Sequence, residues 1–87
     1  MAQRVAVVTG GTRGIGEAIS VGLHKAGYAV AANYAGNDER AKAFTEATGV
    51  KAYKFDVADF AACEAGLKKI SEEIGPVDVL VNNAGIT

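Results

Sequence analysis

Gly27, Gly49 and Gly75 divide this chain into repeating units. Each stands between the end of a segment with helical apolar spacing and the start of a β-branched run. A glycine there ends a helix in the left-handed conformation and frees the chain to turn into a strand. Arg4 to Thr9 ("RVAVVT") is nearly all apolar, as in a strand covered on both faces. From Gly14, apolar or small residues fall at Ile15, Ala18, Ile19, Gly22, Leu23 and Ala26, the stripe of an amphipathic helix. "YAVAAN" follows as a second strand. Asp38 to Thr48 form a helix stopped by Gly49, and "VKAYKF" is a third strand. Asp59 caps a third helix with the stripe Phe60, Cys63, Leu67, Ile70 and Ile74. Gly75-Pro76 stops it before "VDVLVNN", the fourth strand.

The order βαβαβαβ implies a parallel sheet with helices on both faces. The expected fold is therefore α/β, a doubly wound parallel sheet in three αβα layers, incomplete at four strands. Residues 1–87 form one partial nucleotide-binding domain, with Val79 to Val81 read as a central, buried strand. Further strands are expected after Thr87.

The turn between the first strand and the first helix carries the chemistry. Gly10, Gly11, Gly14 and Gly16 lie within seven residues. Backbone N–H groups at a helix start have no intrahelical partner, and the helix dipole adds partial positive charge. Glycines let phosphate oxygens approach that backbone, so a nucleotide pyrophosphate is the natural ligand. A tight turn alone needs one glycine, not four. No Lys-Ser or Lys-Thr follows the last glycine, so this is not the loop of an NTPase.

Composition narrows the class. The net charge of −1 removes the electrostatic footprint of a nucleic-acid or polybasic membrane binder. The single cysteine allows no internal disulfide, and no Cys/His cluster suggests a metal. No stretch approaches the roughly 18 apolar residues of a membrane span. A reducing cytoplasm is the simplest setting.

The spacing Gly10-x3-Gly14-x-Gly16 in "TGGTRGIG" resembles the T-G-x3-G-x-G motif of short-chain dehydrogenases/reductases. "VNNAG" at 81–85 resembles the N-N-A-G motif that follows the fourth strand of that family. The opening "RVAVVTGGTRGIG", "NYAGNDE" and "PVDVLVNNAGIT" look most like the acetoacetyl-CoA reductases of its 3-ketoacyl reductase branch, which feed polyhydroxybutyrate synthesis. The resemblance spans the whole chain and implies a Rossmann-type fold.

By that resemblance, Gly10, Arg13, Gly14, Ile15 and Gly16 hold the cofactor pyrophosphate and adenosine ribose. Asp56 accepts from the adenine amino group and Val57 packs on its ring. The competing reading of Asp56 is a turn aspartate before the helix capped by Asp59. Asn83, Ala84 and Gly85 lie along the cofactor near the nicotinamide ribose, while Asn82 braces the sheet. A carboxylate at the end of the second strand would select NAD. Asn33 and Tyr34 stand there instead, and Asp38 and Glu39 come later. With Arg13 beside the loop and Arg40 matching a contact to the adenosine phosphate, the expected cofactor is NADP(H). For Arg40 a solvated surface charge is a serious rival.

Other candidates read as structural. His24 falls with Glu17 and Ser20 on the polar side of the first helix. Cys63 is a small core residue, and Lys68 and Lys69 are solvated. Asp78 is the one charge in the fourth strand. The family's catalysis uses Tyr-x3-Lys with an upstream Ser and an Asn. These 87 residues contain no Tyr-x3-Lys, so none of them is expected to be catalytic. In the family these groups lie well past N-N-A-G, so the chain is expected to end before them.

The resemblance thus implies reduction of a 3-oxoacyl thioester, acetoacetyl-CoA to 3-hydroxybutyryl-CoA, by a parent enzyme that is expected to be a homotetramer. The alternatives are a nucleotide-binding fragment without turnover, and a reductase of another carbonyl or alcohol.

Overall fold

The structure, a computed structural model, describes residues 3–83. Seven elements follow in the order β1 (Val5–Val8), α1 (Gly14–Lys25), β2 (Ala29–Tyr34), α2 (Asp38–Thr48), β3 (Lys51–Lys54), α3 (Phe60–Glu73) and β4 (Val77–Val81). The strands make one parallel sheet in the order β3-β2-β1-β4. The alternation expected from the sequence is thus the alternation observed, as an incomplete Rossmann-type α/β fold.

The stop signals act through backbone geometry. Gly27, Gly49 and Gly75 have φ of +99°, +80° and +145°, values that L side chains rarely adopt. Asn37 caps α2 by accepting from the Arg40 N–H at 2.9 Å. Asp59 caps α3 by accepting from the Ala62 N–H at 3.1 Å, as its position foretold.

All four residues of β1 are buried, because helices cover both faces of the sheet. On one face Val5, Val7, Ala31, Tyr53 and Phe55 pack around Ile70 of α3, with Cys63 and Leu67 beside them. On the other, Val8, Val30 and Ala32 pack with Phe44 of α2 and with Ile19 and Leu23 of α1. α1 and α2 therefore share one layer and α3 forms the opposite one. Cys63 is half-buried against the core and His24 is exposed, as expected.

Four expectations need correction. The inward face of α1 is Gly16, Ile19, Ser20 and Leu23, one step round from the stripe of bulky residues. Ile15 is 72% exposed, and Ala18, Gly22 and Ala26 face out with it. Ser20, assigned to the polar side, is fully buried, because its hydroxyl donates to backbone carbonyls of the glycine loop. In α3, Phe60 is 81% exposed, since the inward stripe runs through Ala62, Cys63, Gly66, Leu67 and Ile70. β4 is not a buried central strand here. Among the described residues it lies at the sheet edge, and Leu80 is 55% exposed.

β4 also carries an irregularity at its start. Val5 pairs with Val77 but Ala6 pairs with Val79, so Asp78 is an extra residue. Its carboxylate accepts from the Val5 N–H at 2.9 Å, which gives the one charge of the strand its role.

Candidate functional site

The strand order reverses at β1: β2 and β3 lie to one side and β4 to the other. In such sheets a crevice opens beyond the carboxyl ends of the strands on either side of the reversal. The loop after β1 and the residues after β4 border that crevice.

The loop leaves Thr9, whose N–H donates to the Val81 carbonyl at 3.0 Å, and bends at Gly10 with φ +63°. The Gly11 N–H donates to the Asn33 carbonyl of β2 at 2.9 Å. Gly14 opens α1 with φ +58°. At Gly16 the backbones nearly touch. A Cβ there would overlap the Gly10 carbonyl oxygen and sit 2.7 Å from Asn83 Nδ2. At Gly11 it would sit 2.7 Å from Ser20 Oγ and 2.8 Å from the Val8 carbonyl. Gly14 differs: no atom of the described residues lies within 4 Å of its would-be Cβ, and within the protein its φ of +58° is what favours glycine.

Arg13 occupies the N-cap of α1 in extended conformation, and its side chain makes no capping hydrogen bond to the first turn. The leading N–H groups of a 12-residue helix thus face outward at the crevice without a side-chain acceptor. Arg13 and Ile15 are exposed beside them. A phosphate fits this arrangement, because the donors are free of a cap and the glycines leave the space that side chains would fill.

Asn83, past the end of β4, donates from Nδ2 to the Gly10 carbonyl at 3.3 Å. It ties the two lips of the crevice together. Asn82 accepts from the Thr9 hydroxyl at 3.4 Å, a long contact in keeping with a bracing role. Ala84 and Gly85 lie outside the described residues.

Asn33 stands where the sequence places it, but its side chain has a role that the sequence reading did not assign. It stands at the end of β2, but its side chain turns inward and is 2% exposed. Its Oδ1 accepts from the Gly10 N–H at 3.3 Å, and its Nδ2 donates to the Phe55 carbonyl at 2.8 Å. It clamps the glycine loop to the end of β3. The signal was available: a polar amide inside a strand covered on both faces must find partners. Ser20 is the second such residue. Its hydroxyl lies 3.0 Å from the Gly11 carbonyl and 2.9 Å from the Gly16 carbonyl.

Tyr34, Asp38 and Lys54 meet at the outer rim. The Tyr34 hydroxyl donates to Asp38 Oδ1 at 3.1 Å, and Lys54 Nζ lies 3.2 Å from both carboxylate oxygens. The Lys54 ammonium, then the Tyr34 hydroxyl, hold the Asp38 carboxyl below its ordinary range. Partial desolvation, then the contact with Asp38, push the Tyr34 hydroxyl up. Arg40 is exposed in the first turn of α2.

Asp56 and Val57 follow β3. Asp56 Oδ1 accepts from the Ala58 N–H at 2.9 Å, the turn bond of the competing reading. Val57 is 37% exposed beside it. Among the described residues no group of His, Cys, Asp or Glu is arranged to hold a metal ion. None of their helices is long and apolar enough to cross a membrane.

Comparison with known proteins bears on this geometry. The family profile described as short chain dehydrogenase matches residues 4–87. The acetoacetyl-CoA reductase of Paracoccus denitrificans is 68% identical over 84 residues, which are 97% of this chain and 35% of that enzyme. The 3-oxoacyl-[acyl-carrier-protein] reductase of Staphylococcus aureus is 47% identical, over 94% of this chain and 35% of its own length. A short-chain dehydrogenase/reductase from Serratia marcescens superposes with a TM-score of 0.87 at 41% identity, over 94% of this chain and 36% of that one. The chain thus spans about a third of the length of these relatives.

Proposed function

Because the chain belongs to the short-chain dehydrogenase/reductase family, we propose that it supplies the cofactor-binding half of an NADPH-dependent reductase of 3-oxoacyl thioesters. The proposed substrate is acetoacetyl-CoA, after the relative with 68% identity. One observation carries the nucleotide reading. The backbone of Gly10 and Gly16 is packed so closely at an uncapped helix start that no side chain fits between.

In this reading Gly10, Gly14 and Gly16, with the first N–H groups of α1, hold the pyrophosphate, and Arg13 and Ile15 flank it. Tyr34 and Arg40 border the adenosine ribose and its phosphate. Asp56 retains one oxygen outside its turn for the adenine amino group, and Val57 offers an apolar face to the ring. Asn83, with Ala84 and Gly85, lines the nicotinamide ribose. Bound NADPH supplies the hydride. The residues of this chain orient it, and the hydroxyl that delivers the proton is not among them.

Steady-state kinetics of the intact protein test this. The expected result is acetoacetyl-CoA-dependent oxidation of NADPH, with kcat/KM well above that for NADH. Equal values for the two cofactors would remove the NADPH assignment. The 87-residue chain alone is expected to show no turnover, since it contains no Tyr-x3-Lys. Turnover by that chain would place the proton donor within it.

A further inference from the structure

We propose that Lys54 secures the preference for a 2′-phosphorylated cofactor by neutralising Asp38, a carboxylate that would otherwise repel that phosphate. The proposal rests on the NADPH reading above. An acid at the rim beyond β2 reads for a ribose 2′-hydroxyl and against a 2′-phosphate. Along the sequence this chain avoids one, with Asn33 and Tyr34 at the strand end. In space the acid returns. The Tyr34 hydroxyl binds Asp38 at 3.1 Å, and the end of β2 touches the glycine loop through Gly11 and Asn33.

Lys54 removes that conflict. It closes β3, whose end is joined to that of β2 by the Phe55 N–H on the Tyr34 carbonyl at 3.0 Å. Its Nζ lies 3.2 Å from both Asp38 oxygens, one of which also accepts from Tyr34. The carboxylate is thus compensated within the protein before any cofactor arrives. The pair is exposed, Lys54 at 53% and Asp38 at 65%, so it adds little to folding stability and its removal leaves the fold intact. Lys54 is a positioning residue here; it acts on the phosphate through Asp38.

The test uses the intact protein and two probes, adenosine 2′,5′-bisphosphate and 5′-AMP, with affinities read by calorimetry at low salt. The unmodified protein should prefer the bisphosphate. Lys54→Met should weaken bisphosphate binding about fivefold and should not weaken 5′-AMP. Asp38→Asn added to Lys54→Met should restore the affinity. The Lys54→Met effect should shrink at about 1 M salt, where screening is strong. No preference in the unmodified protein would overturn the NADPH reading and this proposal with it. An undiminished preference after Lys54→Met would overturn this proposal alone, as would an equal loss for both probes. Loss without rescue by Asp38→Asn would overturn the route through Asp38 and make Lys54 a direct phosphate ligand.

Discussion

At the residue scale, Gly16 and Asn33 decide whether the loop keeps its shape. Gly16→Ala drives a Cβ into the Gly10 carbonyl oxygen, and the backbones must separate. The expected cost is about 2 kcal/mol of stability, from overpacking. Nucleotide affinity should fall at least tenfold, since the first N–H groups of α1 move with the loop. Urea denaturation and calorimetry check the two parts. Gly14→Val acts differently: a Cβ there has no heavy atom of the described residues within 4 Å, but φ +58° disfavours a β-branched residue. Asn33→Asp separates the sequence reading from the structure. An acid at the end of β2, read from sequence, would turn the preference toward NAD. In the fold the Asn33 side chain is buried, and its Nδ2 donates to the Phe55 carbonyl. The substitution should therefore cost stability, about 2–3 kcal/mol, without raising NADH use. A switch to NADH with unchanged stability would contradict the inward orientation.

Tyr53 supplies a pH prediction at the same scale. Burial, then its hydrogen bond to Glu73 at 2.8 Å and that group's charge, push its hydroxyl up to about 12. The folded state thus keeps a proton that the unfolded chain releases at its ordinary value of 10.0. This stabilisation is complete below pH 10 and is lost as pH rises towards 12. Urea melts across that window should show Tyr53→Phe flattening the alkaline fall in stability.

At the element scale, the helices show what periodicity can and cannot read. Their existence, their stops and the caps at Asp59 and Gly49 were evident, because each signal is local: a glycine with positive φ, or a carboxylate one residue before the first turn. The facing residues were harder. Apolar spacing counts bulk, but α1 lies against a loop that demands small residues, so Gly16 and Ser20 face in and Ile15 faces out. In α3 the position beneath Phe55 is Gly66, where any Cβ would overlap the ring. Phe60, at the first turn, lies off that face. Ile70→Ala should cost about 2–4 kcal/mol because Ile70 is fully buried. Phe60→Ser should cost under about 0.5 kcal/mol. Equal costs by thermal denaturation would mean that the face of α3 is wrongly assigned.

At the scale of the whole molecule, the fold class was readable because alternating buried strands and helices leave few topologies. The site was readable in part. The glycine loop has a fixed spacing, so Gly10, Gly14 and Gly16 stood out. The clamp by Asn33 and the Tyr34–Asp38–Lys54 cluster did not, because each joins residues from different strands and helices. The outer side of β4 is the other whole-molecule property. Leu80 is 55% and Val77 36% exposed on a strand that is unpaired on that side among the described residues. Such an edge invites pairing with another chain. Light scattering by the 87-residue chain alone should rise more steeply than its concentration, and Leu80→Lys should suppress this.

The extra residue in β4 has a consequence for length. Asp78 and the Val5 N–H anchor the strand at the amino end of the sheet, and Asn83 meets the Gly10 carbonyl at the other end. Four residues, 79 to 82, lie between them; the first three belong to β4, and the Asn83 N–H turns back to the Val81 carbonyl at 3.1 Å. That interval works as a fixed gauge. Removing one residue within it would draw the chain back by roughly 3.3 Å and bring a different side chain to the glycine loop. A residue added near Gly36, in the exposed turn before α2, changes no such distance. Natural variation in length is therefore expected to gather in that turn and to be rare between Asp78 and Asn83.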